Sequence, residues 1–136
     1  MSHYLVFADA GVKSNADRSA NLGYGSFLLR TSDGREARGT LDLGETTCNV
    51  AEYRVQIAAL CTLAARIRAT GHNPKCYTVT CHTDSRLVVD QVNGKAKCRT
   101  ARTVAACTHL HEALEYFADW AVVWVPRDTN VQLFGH

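Results

Sequence analysis

Two successive runs, GYGSFLLR (23–30) and REARGTLDLG (35–44), alternate with the two-residue period of a strand and are separated by little more than the turn SDG (32–34). So short a connection leaves no room for a crossover, so the two runs must pair antiparallel. Upstream, YLVFADAG (4–11) reads as a further strand, reached through the polar stretch KSNADRSAN (13–21), and completes a three-stranded meander. The period then changes. Asn49 opens a long helical pattern in which Tyr53, Ile57, Leu60, Ala64 and Ile67 form one stripe, ended by Gly71 and Pro74. CYTVTCH (76–82) is a short apolar strand, and DSRLVVDQVNG (84–94) a helix closed by Asn-Gly. Val104, Cys107, Leu110, Leu114 and Phe117 form a second helical stripe, and WAVVWVP (120–126) a last strand. The order β-β-β-α-β-α-α-β, with an optional helix in the polar tail RDTNVQLFGH, predicts an α/β fold. Its five-stranded mixed sheet is flanked by helices, in one domain over residues 1–136. Strands one and four should be parallel neighbours at its centre.

Net charge is only +2, so bulk charge does not announce a nucleic-acid partner. Its distribution is more informative. Between Ser85 and Thr103 stand Arg86, Lys95, Lys97, Arg99 and Arg102 against a single acid, Asp90. No apolar run approaches the ~18 residues that cross a membrane, and no signal peptide is evident. The six cysteines include no C-x-x-C, and Cys76 and Cys81, read on one strand, would face opposite sides. Reduced, buried thiols in a cytoplasmic protein are the expectation.

Three acids stand out. Asp9 lies inside an apolar run whose two faces, Leu5–Phe7–Gly11 and Tyr4–Val6–Ala8–Ala10, are both otherwise apolar or small, as in an inner strand. An unpaired carboxylate there costs several kcal/mol or gives up its charge. Glu52 and Asp84 have plainer explanations. With Asn49 as N-cap, Glu52 occupies the third helical position of a capping box, and Asp84 can cap the helix that follows it. The topology nevertheless brings all three together, and converging carboxylates repel unless cations neutralise them. An all-oxygen set favours Mg²⁺ or Mn²⁺ over zinc. Two such ions about 4 Å apart can activate water and stabilise a leaving oxygen in phosphodiester cleavage.

Taken with their order and spacing, F-A-D-A-G around Asp9, T-T-C-N-V-A-E-Y around Glu52, T-D-S-R-L-V-V-D-Q-V-N-G around Asp84 and W-V-P-R-D-T-N near the end resemble the type 1 ribonucleases H. The resemblance spans almost the whole chain. It implies the ribonuclease H-like fold and endonucleolytic hydrolysis of RNA in RNA–DNA hybrids, with two Mg²⁺ or Mn²⁺ ions and 5′-phosphate and 3′-hydroxyl ends. Asp9, Glu52 and Asp84 match the family's first three metal-binding carboxylates. Thr47 and Asn49 match positions that meet nucleic-acid backbone and minor-groove edges, Arg86 one near the RNA strand, and Gly11 one that lets backbone approach a ribose 2′-hydroxyl.

The pattern breaks at the end. The family's fourth metal-binding aspartate falls at Phe134, four residues after Asn130, which matches the family asparagine. Asn130 can offer an amide oxygen, Asp128 or His136 can stand in, or the fourth ligand is absent. One charge less should shift preference toward Mn²⁺. The histidine many members carry before the last helix is also missing; Arg127 stands there, its planar fork suited to phosphate. KAKCRTAR (95–102) is too short for the family's basic protrusion, so the resemblance is to the compact bacterial and archaeal subtype. Hybrid binding would then rest on Lys95, Lys97, Arg99 and Arg102 and depend strongly on salt. A monomer without a membrane partner is expected, with double-stranded RNA as a second candidate substrate. The alternative reading is a catalytically impaired hybrid- or nucleic-acid-binding module of the same fold.

Overall fold

A computed structural model describes residues 2–14 and 21–135. Most of the polar stretch at 13–21 therefore lies outside the described residues, as does His136. Five strands, β1 (Ser2–Ser14), β2 (Asn21–Thr31), β3 (Glu36–Glu45), β4 (Tyr77–Thr83) and β5 (Asp119–Trp124), form one sheet in the order β3-β2-β1-β4-β5. β1–β2 and β2–β3 are antiparallel, whereas β1–β4 and β4–β5 are parallel. Among the described residues four α-helices accompany it: α1 (Cys48–Ala69), α2 (Arg86–Val92), α3 (Ala101–Leu114) and α4 (Arg127–Phe134). This is the mixed sheet the sequence predicts, with β1 and β4 adjacent at its centre. The polar tail is not irregular: α4 occupies most of it and packs against β1.

α1 is flanked on two sides, by β1 and β2 and by α3. Hence its buried residues exceed one stripe and include Ala51, Val55, Ala59 and Leu63 beside Tyr53, Leu60, Ala64 and Ile67. Each fully buried leucine here contributes roughly 1.5–3 kcal/mol. The helix ends at Thr70 and Gly71, where the N–H of Gly71 bonds to Arg68 O and that of His72 to Ile67 O. Gly71 takes φ +82°, a conformation that strongly favours glycine. Close approach of α1 to the sheet also explains Gly25, where a Cβ would press on the Val55 side chain at 2.6 Å.

Two smaller expectations need correction. Cys76 belongs to a short 3₁₀ turn, Pro74–Cys76, ahead of β4 rather than to the strand, because Pro74 sets that turn and Asn73 caps it. Val104 is half exposed, while Ala106 takes the core position on α3. All six cysteines are free thiols, with Cys81 and Cys107 buried and Cys48, Cys61 and Cys76 exposed. Among the described residues no helix is long and apolar enough to cross a membrane.

Candidate active site

Both capping explanations for the acids fail. The N-cap of α1 is Thr47, two residues earlier than expected, with its hydroxyl accepting from the Val50 N–H at 3.3 Å. That places Glu52 beyond the capping position. The cap of α2 is Ser85, whose hydroxyl accepts from the Val88 N–H at 3.2 Å, which leaves the Asp84 carboxylate without a capping duty. The sheet supplies the rest. Phe7 is level with His82 in the β1–β4 pairing, and the same offset carried two residues on brings Asp9 level with Asp84.

Ligand oxygens of Asp9, Glu52 and Asp84 all lie within 4.8 Å of one another. Asp9 is buried, and Asp84 is half-buried where β4 gives way to α2. One oxygen of Glu52 accepts from the backbone N–H of Ala10 at 3.4 Å; the other, Oε2, is buried with no hydrogen-bond partner. Burial, and then the charges of Asp9 and Asp84, push the Glu52 carboxyl up to about 8. A buried carboxylate oxygen set among two other acids repels them unless a cation lies beside it, and three oxygen donors suit a hard divalent ion.

The candidate fourth ligands separate clearly. Asn130 is wholly buried on α4, and both polar atoms of its side chain lack a partner. Asp128 is exposed in the first turn of the same helix, and Phe134 is half-buried. His136 lies outside the described residues.

The residues expected to meet nucleic acid surround the triad less uniformly. Thr47 and Asn49 stand on the entrance to α1, Thr47 as its cap. Arg86 is exposed at the start of α2, its guanidinium 3.8 Å from the ring centre of Trp124. Trp124 in turn donates from Nε1 to the carbonyl of Asp84 at 3.1 Å, so one indole contacts both Arg86 and the turn that carries Asp84. Lys95, Lys97, Arg99 and Arg127 all have exposed side chains. Gly11 has a plain packing reason as well: a Cβ there would collide with the Tyr24 ring. Ser85, Trp124 and the buried Gln91 were not anticipated. Only the Ser next to Asp84 carried a usable signal, being as good a cap as its neighbour.

No family model matches the sequence, and no curated protein does. Solved structures do match. Ribonuclease H1 of the halophilic archaeon Halobacterium salinarum NRC-1 superposes with a TM-score of 0.78 at 26% identity, over 94% of this chain and 89% of that one. The N-terminal ribonuclease H domain of a Mycobacterium tuberculosis protein gives 0.78 at 24%, over 97% and 88%. LC11 ribonuclease H1, bound to an RNA/DNA hybrid, gives 0.74 at 21%, over 95% and 89%; these last two establish likeness of fold. The sheet order, the acidic triad and the archaeal enzyme agree, and together they support assigning the chain to the type 1 ribonucleases H, as a ribonuclease H hydrolase.

Proposed function

We propose that the chain hydrolyses the RNA strand of RNA–DNA hybrids, leaving 5′-phosphate and 3′-hydroxyl ends. The observation that carries this is the convergence of Asp9, Glu52 and Asp84 within 4.8 Å, with Glu52 Oε2 buried and unpartnered. The hybrid bound to LC11 ribonuclease H1 supports the substrate class. Asp9, Glu52, Asp84 and the buried amide of Asn130 fit two Mg²⁺ or Mn²⁺ ions. When bound, such ions activate water and neutralise charge on the departing 3′ oxygen.

The protein's own groups do the remainder. The triad concentrates negative charge that is tolerable only once cations sit beside it. Asn130 adds an oxygen without adding charge, which sets the site one unit less negative than four carboxylates and favours Mn²⁺ in the weaker position. Arg86, held against Trp124, and Lys95, Lys97, Arg99 and Arg127 supply phosphate contacts that locate the hybrid without reading it. Thr47, Asn49 and Gly11 would meet the minor groove and its 2′-hydroxyls.

Phe134, standing where the family carries an aspartate, favours a second reading, a hybrid-binding module with impaired catalysis. One assay separates the two. An end-labelled RNA–DNA hybrid is incubated with Mg²⁺, Mn²⁺ or EDTA, beside single-stranded and duplex RNA. Metal-dependent cuts confined to the RNA strand of the hybrid are expected. Hybrid binding with no cleavage under either metal would make the binding module the function, and cuts in duplex RNA would widen the substrate class.

A further inference from the structure

Beneath the first turn of α1 lies a polar cluster that phosphodiester chemistry does not use. Gln91 on α2 is 7% exposed. Its Nε2 donates to the Lys97 carbonyl at 3.2 Å, while its Oε1 accepts from the Tyr53 hydroxyl at 2.8 Å and from Asn49 Nδ2 at 3.5 Å. These directions are forced. A backbone carbonyl only accepts, so the Gln91 atom facing Lys97 must be the amide nitrogen. Its oxygen then faces Tyr53 and Asn49, and because that oxygen also only accepts, Asn49 must turn its own nitrogen inward. Tyr53 is fully buried.

The consequence falls on Asn49 Oδ1, which has no hydrogen bond from any described residue. Asn49 is half-buried, three positions before Glu52 on the same helix. A freely rotating amide offers a donor or an acceptor to whatever approaches; this one, its nitrogen engaged by Gln91 at 3.5 Å, is biased to present an acceptor. Most minor-groove edges are acceptors themselves, namely purine N3 and pyrimidine O2, and these gain nothing from Oδ1. The donors available are the 2-amino group of guanine and the ribose 2′-hydroxyl. Of the two, only the amino group varies with sequence.

Resting on the hybrid-nuclease reading of this face, we infer that the Lys97–Gln91–Asn49 relay fixes Asn49 as a minor-groove acceptor that selects guanine at one position of the hybrid. Gln91 is then a positioning residue that acts through Asn49. It also ties the anchor point of the basic stretch, Lys97, to the residue that reads the groove, so phosphate contact and base reading share one support.

The test uses hybrids in which a single G·C pair is walked stepwise along an otherwise A·T/A·U duplex, each made with guanine or with inosine, which lacks the 2-amino group. A parallel set replaces the ribose at the same step by 2′-deoxyribose. One register should show kcat/KM about three- to ten-fold higher with guanine than with inosine, the size of one neutral hydrogen bond. In Asn49→Ala and in the near-isosteric Gln91→Met the ratio should fall to about one. Because it compares two substrates on one protein, loss of stability alone does not move it; should Gln91→Met not fold, Asn49→Ala still decides whether guanine is read there. Equal rates for guanine and inosine at every register would overturn the inference. So would a preference that survives in Gln91→Met, or one that follows the 2′-deoxy series instead. If wild type cleaves nothing, the same ratio is read in Kd: a guanine preference in binding alone would sink the nuclease reading and leave the Asn49 assignment standing.

Discussion

The Glu52 carboxyl ties the stability of the metal-free protein to pH in a direction opposite to that of most paired acids. Its folded value, pushed up to about 8, lies above the ordinary 4.5. The folded state therefore binds a proton that the unfolded state releases. The stabilisation is fully present below pH 4.5 and is lost as pH rises through 8. His82 acts in the other sense, because burial holds its value below 6.5 and its contribution falls away under acid. The clean window is thus pH 6.5 to 8.5. Over that interval the Glu52 linkage alone removes about 2 kcal/mol. Urea unfolding in EDTA at the two pH values reads this directly, and Glu52→Gln, which cannot titrate, should lose that slope. Added Mg²⁺ should also remove the decline, since cation binding favours the carboxylate and expels the proton. A Glu52→Gln variant with the same loss between pH 6.5 and 8.5 as wild type would refute the assignment of the buried proton to Glu52.

The double substitution Asp9→Asn and Asp84→Asn should abolish hybrid cleavage while leaving urea stability in EDTA unchanged or raised, because two repelling charges disappear; residual metal-dependent cutting would count against the triad. Asn130→Ala should weaken Mg²⁺ or Mn²⁺ activation by about ten- to a hundred-fold, whereas Asp128→Ala, on an exposed turn, should change it less than two- to three-fold, as read from activity against metal concentration. Replacing Lys95, Lys97 and Arg99 together by Ala should lower the slope of log Kd against log salt by roughly two to three units if each meets a phosphate, and an unchanged slope would remove them from the interface. Thr47→Ala should cost about 1 kcal/mol in thermal or urea unfolding through loss of the α1 cap.

The strand order and the central β1–β4 pairing were legible because period-2 runs and a short turn admit few alternatives. Asp9 was legible for the same reason: a mid-strand acid has no local duty. Caps were less so. Thr46, Thr47 and Asn49 stand at or near the start of α1 and each can cap; the choice of Thr47 depends on how far β3 runs, which is a tertiary fact. Asp84 and Ser85 are equally good caps, and the demand for a free carboxylate beside Asp9 decides between them. α4 has a polar sequence, packs on β1 and buries Asn130, so its periodicity was faint. Gln91 gave no signal at all, since its role exists only once α1, α2 and the 95–99 stretch are in place.

The parallel register that sets Ser2 beside Tyr77 has a kinetic meaning. β1, β2 and β3 pair through local connections, but β1 and β4 meet only after some seventy intervening residues have been gathered, and such long-range pairing is slow to form. Asp9 and Asp84 sit on the two sides of that seam. A nascent chain that has emerged only as far as α1 carries two of the three acids, and on the proposed function it would acquire hydrolytic competence when β4 zips against β1. In refolding, return of hybrid cleavage should therefore lag behind the helical signal of α1 and report closure of the seam.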